Sequence, residues 1–350
     1  MAALTKLLLR DLRPSKLLQL KAFATYVEKE LEVPTFCDVH IDLPYSVTVK
    51  PLNIHKYHNL DKLIIKVDER CENSLQHDVV GNQVKIDETV DIEEKDVMCY
   101  VKAPVKANLY INSKKDINVG YFQGDKLYAT SQEGDVYVDR FQGNSVNVIT
   151  GNGNIRLNEF VQAANISAYV QENGSITTGR MQGLNLILKT NQGDINVESA
   201  YSHESHFEIV NGNLELQNAH RSCKIFIHEG NINLAGFDGK LKLVLEKGKA
   251  KIHLFRISEE GSEINILDGS LHLRLADACQ DYVQFLIKSK TCEISDNVKS
   301  TINSSKNMLE LIPDINNDSS CIVNCEGHVY VESASWQDMI KLKMQKRNEC

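Results

Sequence analysis

Residues 190–199 have the sequence TNQGDINVES, and variants of the central GDINV return throughout the chain. KDINV at 115–119 is the earliest variant and has lysine in place of the glycine. The spacings between the later glycines are 19, 21, 19, 19, 18, 18 and 21 residues. A propeller blade would need a period of roughly 40 residues, so the spacing favours a stack of small units. The aligned glycines are Gly134, Gly153, Gly174, Gly193, Gly212, Gly230, Gly248 and Gly269.

The positions after each glycine alternate in polarity. The second and fourth are apolar, with Thr178 as the exception, and the third is never aliphatic. This in–out–in pattern is typical of a half-buried strand whose third position faces outward. The outward column is Tyr137, Arg156, Thr177, Asn196, Glu215, Asn233, Lys251 and His272.

A second signature lies between the glycine turns. It combines an apolar residue with a glycine two positions later, and Phe160 and Tyr201 are assigned to the same apolar phase without the glycine. Each unit is therefore predicted to contain a strand, an apolar corner, a second strand and a polar glycine turn. The matching segments are Phe122–Gly124, Phe141–Gly143, Met181–Gly183 and Phe237–Gly239.

Two architectures fit two strands per period. An antiparallel meander would use Asn-Gly pairs such as Asn152–Gly153 as hairpin turns. A parallel β-solenoid would stack equivalent residues of successive coils. Both columns repeat in phase, which a solenoid requires and a meander does not. We therefore predict an all-β, parallel β-solenoid (β-helix-like) of about 9–11 coils with capped ends.

The chain is predicted to have four parts. Residues 1–25 form a basic leader, and 35–110 form an N-terminal β region made of irregular first coils or a small capping sheet. The repetitive solenoid covers 111–295. Residues 296–350 contain an irregular stretch, a last coil at 325–333 and a C-terminal cap. That cap could be a helix with Ser335 and Asp338 as a capping box, or a strand.

The leader differs from the rest of the chain, whose net charge is −8 overall. Its leucine-rich first 24 residues hold five basic side chains and one acidic side chain, Asp11. This composition is typical of a mitochondrial presequence, and a disordered or capping basic segment is the alternative. We therefore expect a mitochondrial location, with the cytoplasm as the alternative. The negative charge argues against nucleic acid as a partner, and no apolar run is long enough for a transmembrane helix.

Candidate catalytic and metal-binding groups were sought in the columns. Asp135 and Asp194 share a column three units apart, which corresponds to about 14 Å at 4.8 Å per coil. Paired glycosidase carboxylates lie about 5–9.5 Å apart, so this column is interpreted as a polar turn ladder. His203 and His206 could converge with Glu204 in a loop, or form a solvated corner. No catalytic, cofactor-binding or metal residue is predicted.

Nine cysteines, an odd and scattered number, favour reduced thiols over a disulfide framework. Cys321 and Cys325 would share one face of a strand. A metal site would need further ligands with matching geometry.

The repeated pattern [ST]-x-x-G-[DNS]-[IV]-x-[VL], preceded by V-x-A-P-x-x-A-x-L-x-I at Val101–Ile111, resembles a bacterial family of unknown function named "putative adhesin". The repeat placement and the basic leader are also similar to an animal relative of that family. The resemblance covers residues 35–340 approximately. It implies a β-solenoid fold and supplies no established catalytic or binding residue.

Two functional hypotheses follow. The first is a non-enzymatic scaffold or binding protein that uses an outer sheet face to bind protein or glycan. The second is a carbohydrate- or ester-active enzyme with a site on one solenoid face. The oligomeric state is left open.

Overall fold

The computed structural model describes residues 25–88, 97–305, 308–313, 315 and 319–334. Apart from Thr25, the predicted leader lies outside these ranges, as does the segment 335–350 for which a helix and a strand were both considered. The described residues form a parallel β-solenoid, so the predicted fold class is confirmed.

The N-terminal part consists of short strands. They are β1 (Tyr26–Glu32), β2 (Asp38–Leu43), β3 (Ser46–Pro51), β4 (Lys62–Asp68), β5 (Leu75–Val80), β6 (Gln83–Glu88), β7 (Met98–Ala103), β8 (Asn108–Ser113), β9 (Ile117–Phe122) and β10 (Lys126–Ser131). A single 3-10 turn, Glu69–Cys71, follows β4.

Longer strands form the regular part, because they continue around the apolar corner without a break. They are β11 (Val136–Thr150), β12 (Ile155–Asn173), β13 (Ile176–Gln192), β14 (Ile195–Asn211), β15 (Leu214–Leu216), β16 (Ala219–Ile257) and β17 (Ser262–Leu275). The C-terminal part adds α1 (Asp277–Tyr282), β18 (Gln284–Ile294), β19 (Thr301–Ser305), β20 (Met308–Ile312) and β21 (Ser320–Ser333).

Successive coils pair in parallel and in register, with like residues over like. Val136 pairs with Ile155, Ile155 with Ile176, and Ile176 with Ile195. The outward column follows the same register, since Tyr137 pairs with Arg156 and Arg156 with Thr177.

Both ends of the stack depart from chain order in the same way. β2 lies between β6 and β8, and β3 lies between β7 and β9. At the other end β21 lies between β17 and β18. Antiparallel strands continue the sheets beyond these coils, with β1, β4 and β5 at the N-terminal end and β19 and β20 at the C-terminal end. This arrangement covers strand edges that would otherwise be open to pairing.

The interior of the stack is one continuous apolar cluster. It extends from Val33 in the N-terminal part to Val331 in β21, and its rows include Phe122, Phe141 and Phe237 at the apolar corner. Large buried side chains of this kind supply most of the stabilising free energy of folding.

The register corrects one assignment made from the sequence. Phe160 and Tyr201 do not lie in the corner row with Phe141, because Phe141 pairs with Val161, and Phe160 pairs with Arg140. The coil that ends near Phe160 contains one additional residue, and in a strand a one-residue shift moves a side chain to the opposite face. Phe160 and Tyr201 are therefore on the outer surface, where Tyr201 is 40% exposed.

Candidate functional site

The glycine turn of each coil binds the turn of the next coil through polar side chains. Asp135 Oδ1 accepts hydrogen bonds from the backbone N of Asn154 at 2.7 Å and from its Nδ2 at 3.1 Å. Asp194 Oδ1 does the same for Asn213, at 2.8 and 3.0 Å. Ser175 joins the two segments, because its Oγ accepts from the backbone N of Asp194 at 3.1 Å. The predicted turn ladder is confirmed, and both carboxylates serve as structural acceptors in it.

The threonine or serine of the motif has a structural role in the same turn. Thr150 is fully buried, and its Oγ1 donates a 2.8 Å hydrogen bond to the carbonyl of Gly134 in the preceding coil. Thr190 makes the equivalent bond to Gly174 at 2.9 Å. These hydroxyls satisfy carbonyl groups that no water molecule could reach.

The histidine-rich segment does not converge on a metal site. His203 is exposed, whereas Nε2 of His206 lies 3.3 Å from Glu208 on the same strand face. Lys189 lies 2.7 Å from Glu208, and its hydrogen bond holds the pKa of that carboxyl below its usual value. Across the described ranges, no three His, Cys, Asp or Glu side chains are grouped for metal binding.

The described cysteines are free thiols. Cys321 and Cys325 are both buried, as expected for two residues on the inner face of one strand. Burial raises the pKa of Cys99 and of Cys279 to about 12, so these thiols are protonated at neutral pH.

The predicted outer sheet face contains a shallow cleft of about 430 Å³ near the C-terminal end. Lys251 and His272 of the outward column line it together with Tyr330. Nε2 of His272 lies 2.9 Å from Glu332, and its ring contacts Tyr330 edge-on at 5.1 Å.

A larger feature lies at the outer surface of the apolar corner. Gln142, Gln162 and Gln182 pair in register over three coils, one residue after the buried corner row. In the next coil the partner of Gln182 is Tyr201, and the glutamine column ends. Tyr201 stacks on His220 with ring centroids 4.8 Å apart and an interplanar angle of 15°. The chemistry of this column therefore changes abruptly at Tyr201.

The column continues past His220 into an ion pair. His220 Nδ1 lies 3.9 Å from Asp238, and Asp238 accepts two hydrogen bonds from Arg256, at 2.8 and 2.9 Å. The Asp238 carboxylate raises the pKa of Arg256, so this guanidinium is always charged. A bidentate pair of this kind fixes the orientation of both side chains.

Arginines and aromatic rings alternate in the column just before the corner. Arg140 lies over Tyr121 at 5.5 Å, and Arg180 lies over Phe160 at 5.7 Å. Arg180 also lies 5.0 Å from the ring of Tyr201, so its guanidinium has a ring on each side. Cation–π contacts of this kind restrict a long side chain to one orientation.

These columns border a cleft of about 990 Å³, which we call the corner cleft. Tyr201, His220, Asp238 and Arg256 form one side, and Tyr282 of α1 also lines it with 44% of its surface exposed. Arg221, Ser202, Ser258, Glu259, Glu260 and Ser319 are further lining residues.

Arg221 has an unusual backbone conformation in this cleft, with φ +65°. Two residues separate Ala219 from Ser222 on β16, whereas three separate their partners on β14, so the corner is one residue tighter. The left-handed conformation accommodates this shortening, and it is costly for a residue with a side chain. The equivalent position in the next coil is Gly239, whose φ is +146°.

Sequence reasoning missed the corner cleft because it aligned Phe160 and Tyr201 with the buried corner row. Shifting these two residues by one position would have revealed the outer series Tyr121, Arg140, Phe160 and Arg180. It would also have shown the replacement of glutamine by Tyr201 and of the corner glycine by Arg221.

The fold and the repeated turn ladder define a parallel β-solenoid of stacked two-strand coils. The chain belongs to the Toastrack family DUF4097, whose model matches residues 65–318. This result confirms the resemblance to the bacterial family noted from the motif.

Three solved structures are similar in fold. A "putative adhesin" of Parabacteroides distasonis ATCC 8503 is 10% identical, with a TM-score of 0.39 over 88% of this chain and 98% of that chain. A "putative lipid binding protein" of the same organism is 14% identical, with a TM-score of 0.34 over 72% and 97%. A "putative adhesin" of Bacteroides fragilis NCTC 9343 is 12% identical, with a TM-score of 0.25 over 89% and 97%.

Within the described ranges, no helix has the length and apolar character needed to cross a membrane.

Proposed function

We propose that this protein is a non-enzymatic scaffold or binding protein that uses the outer surface of the stack to bind protein or glycan. The observation that carries the proposal is the structural use of the repeated polar groups. Asp135 and Asp194 hold successive turns together, and the interior is a continuous apolar cluster. Recognition is therefore assigned to the outer columns, where the side chains vary from coil to coil.

The corner cleft is the strongest candidate for the binding surface. Its volume of about 990 Å³ lies near the upper end of the range for small-molecule sites. The cleft contains charged, hydroxyl and aromatic side chains on elements that both neighbouring coils hold in place. A rigid surface of this kind needs little ordering when a ligand binds.

The rival hypothesis, a carbohydrate- or ester-active enzyme, would need a free acid or base in the cleft. Asp238 is instead held by two hydrogen bonds from Arg256, and Glu260 lies 2.7 Å from Lys240. That salt bridge lowers the pKa of Glu260, which opposes a role as a general acid near neutral pH.

The deciding experiment measures binding and turnover together. The full chain would be titrated against a glycan panel, and each bound glycan would then be recovered and weighed by mass spectrometry. We expect saturable binding and an unchanged ligand. Release of a hydrolysed product would favour the enzyme. If no glycan binds, cross-linking in isolated mitochondria should identify a specific protein partner, and failure of both arms would overturn the proposal.

We further propose a mitochondrial location and a relation to the animal protein called family with sequence similarity 185 member A. The support is the basic, leucine-rich leader in front of an otherwise acidic chain. A tagged full chain is expected in mitochondria, and the same chain lacking residues 1–25 is expected in the cytosol. A cytosolic signal from both forms would reject the presequence.

A further inference from the structure

We propose that the corner cleft binds an acidic sugar, with Arg221 as the ligand for its carboxylate. This inference rests on the proposed binding function and adds the chemical class of the ligand and the residue that recognises its charge.

Arg221 occupies a position where a side chain is not expected. Equivalent positions in neighbouring coils hold small residues: Gly143, Ala163, Gly183, Ser202 and Gly239. Arg221 stands at this position with a left-handed backbone, which only glycine adopts without strain. Strained backbone at the wall of a cleft is characteristic of functional residues.

The charge of Arg221 is available to a ligand. The side chain is exposed and makes no ion pair with any residue that the structure describes. By contrast, Arg256 in the same cleft is already paired with Asp238, and Arg140 in the outer column lies 3.3 Å from Glu159. An unpaired guanidinium presents a planar fork of N–H donors that matches a carboxylate.

The rest of the cleft suits a ring that carries hydroxyl groups. The Asp238–Arg256 pair offers both acceptors and donors in a fixed orientation, and Ser202 and Ser258 add hydroxyls nearby. Tyr282 is 44% exposed and can cover the apolar face of a sugar ring. Tyr201 is held between Arg180 and His220, so it forms a rigid wall rather than a stacking platform.

Other classes of anionic ligand fit this site less well. The strands at the cleft are hydrogen-bonded to neighbours on both sides, which leaves no edge for an extended peptide to pair with. A nucleic acid would need a row of unpaired cations, whereas this chain carries a net charge of −8 and the neighbouring Arg256 is neutralised by Asp238.

The test uses the full chain and a substitution that should not harm the fold. Ligand-observed NMR would compare glucuronic acid, glucose, inorganic phosphate and a mixed-sequence single-stranded oligonucleotide. Arg221→Gly removes the guanidinium and restores the residue type of the neighbouring corners, so its thermal midpoint should equal or exceed that of the parent chain. Arg140→Gln is the matched control, because it removes a cation from the same surface outside the cleft lining.

We expect glucuronic acid to bind at least about tenfold more tightly than glucose, and Arg221→Gly to remove that preference. The Arg140→Gln variant should bind both sugars as the parent chain does. Equal binding of glucuronic acid by Arg221→Gly and the parent chain would overturn the inference. Phosphate or the oligonucleotide binding more tightly than glucuronic acid would overturn it as well. If glucuronic acid fails while another glycan binds without turnover, the inference falls and the proposed function stands.

Discussion

The two corners of each coil differ in how strictly they repeat. At the glycine turn, the same small residue, polar acceptor and buried hydroxyl return along the stack, and Asp135, Asn154 and Asp194 all accept a hydrogen bond from the next coil. At the outer surface of the apolar corner, the glutamine column ends at Tyr201 and is followed by His220, Asp238 and Arg256.

This difference separates what builds the fold from what can distinguish one family member from another. A ladder at the glycine turn must continue through every coil, because each rung satisfies the polar groups of its neighbour. The outer surface of the apolar corner has no such obligation, since the buried row beneath it supplies the cohesion. A change of chemistry is therefore tolerated there and can form a site.

The sharpest test of the corner assignment compares two phenylalanines 19 residues apart. Phe141 is fully buried in the corner row, whereas Phe160 lies on the outer surface under Arg180. Phe141→Ala should lower the free energy of unfolding by about 3–5 kcal/mol, because it opens a cavity in the core. Phe160→Ala should cost only about 1 kcal/mol, since it loses a partly solvated cation–π contact.

Urea denaturation followed by circular dichroism would measure both changes. Equal losses for the two variants would contradict the register that places Phe160 opposite Arg140. If the unfolding of the stack is not two-state, the comparison should use the first transition in each variant.

The glycine turn gives the next largest effect. Gly212 has φ +149°, and a Cβ atom there would lie 2.0 Å from the carbonyl oxygen of Gly193. Gly212→Ala should therefore lower the free energy of unfolding by about 3 kcal/mol, because strain and a backbone clash combine. Gly81→Ala is the control, since Gly81 has φ +62° and no atom within 4 Å of the added methyl position.

We expect Gly81→Ala to cost about 1 kcal/mol, the cost of a left-handed backbone alone. The same denaturation assay measures both. A loss at Gly212 no larger than that at Gly81 would show that close stacking of the turns does not constrain the coil.

A smaller effect should come from the buried hydroxyl of the motif. Thr150→Val keeps the shape of the side chain and removes the hydrogen bond to the Gly134 carbonyl. The expected loss is about 1–2 kcal/mol, because the carbonyl remains buried without that partner. Thr177→Val on the exposed face is the matched control and should change stability by less than about 0.5 kcal/mol. Comparable losses at the two threonines would contradict the structural role of the motif hydroxyl.

The local repeat was enough to predict the solenoid, the outward column and the turn ladder through Asp135 and Asp194. These features repeat along the chain, so their alignment carries information about contacts between coils. The placement of β2 between β6 and β8 could not be predicted, because it depends on pairings with distant segments and has no local pattern. The corner cleft was missed for a related reason: its columns are in phase only after each coil's change in length is known.

The smallest change in stability, and the most direct test of the comparison between corners, is expected for Tyr201→Gln. This substitution extends the column of Gln142, Gln162 and Gln182 by one coil. Tyr201 is 40% exposed, so the variant loses only the contacts with Arg180 and His220, and the free energy of unfolding should fall by about 1 kcal/mol or less.

Binding should respond much more strongly than stability to this change. Without the ring between them, Arg180 and His220 lose the wall that holds the edge of the cleft, and the preference for glucuronic acid over glucose should fall by about tenfold. Urea denaturation and the NMR titration would be run on the same sample. A large loss of stability with unchanged binding would reverse the assignment, because it would make Tyr201 part of the fold in the same sense as the residues of the glycine turn.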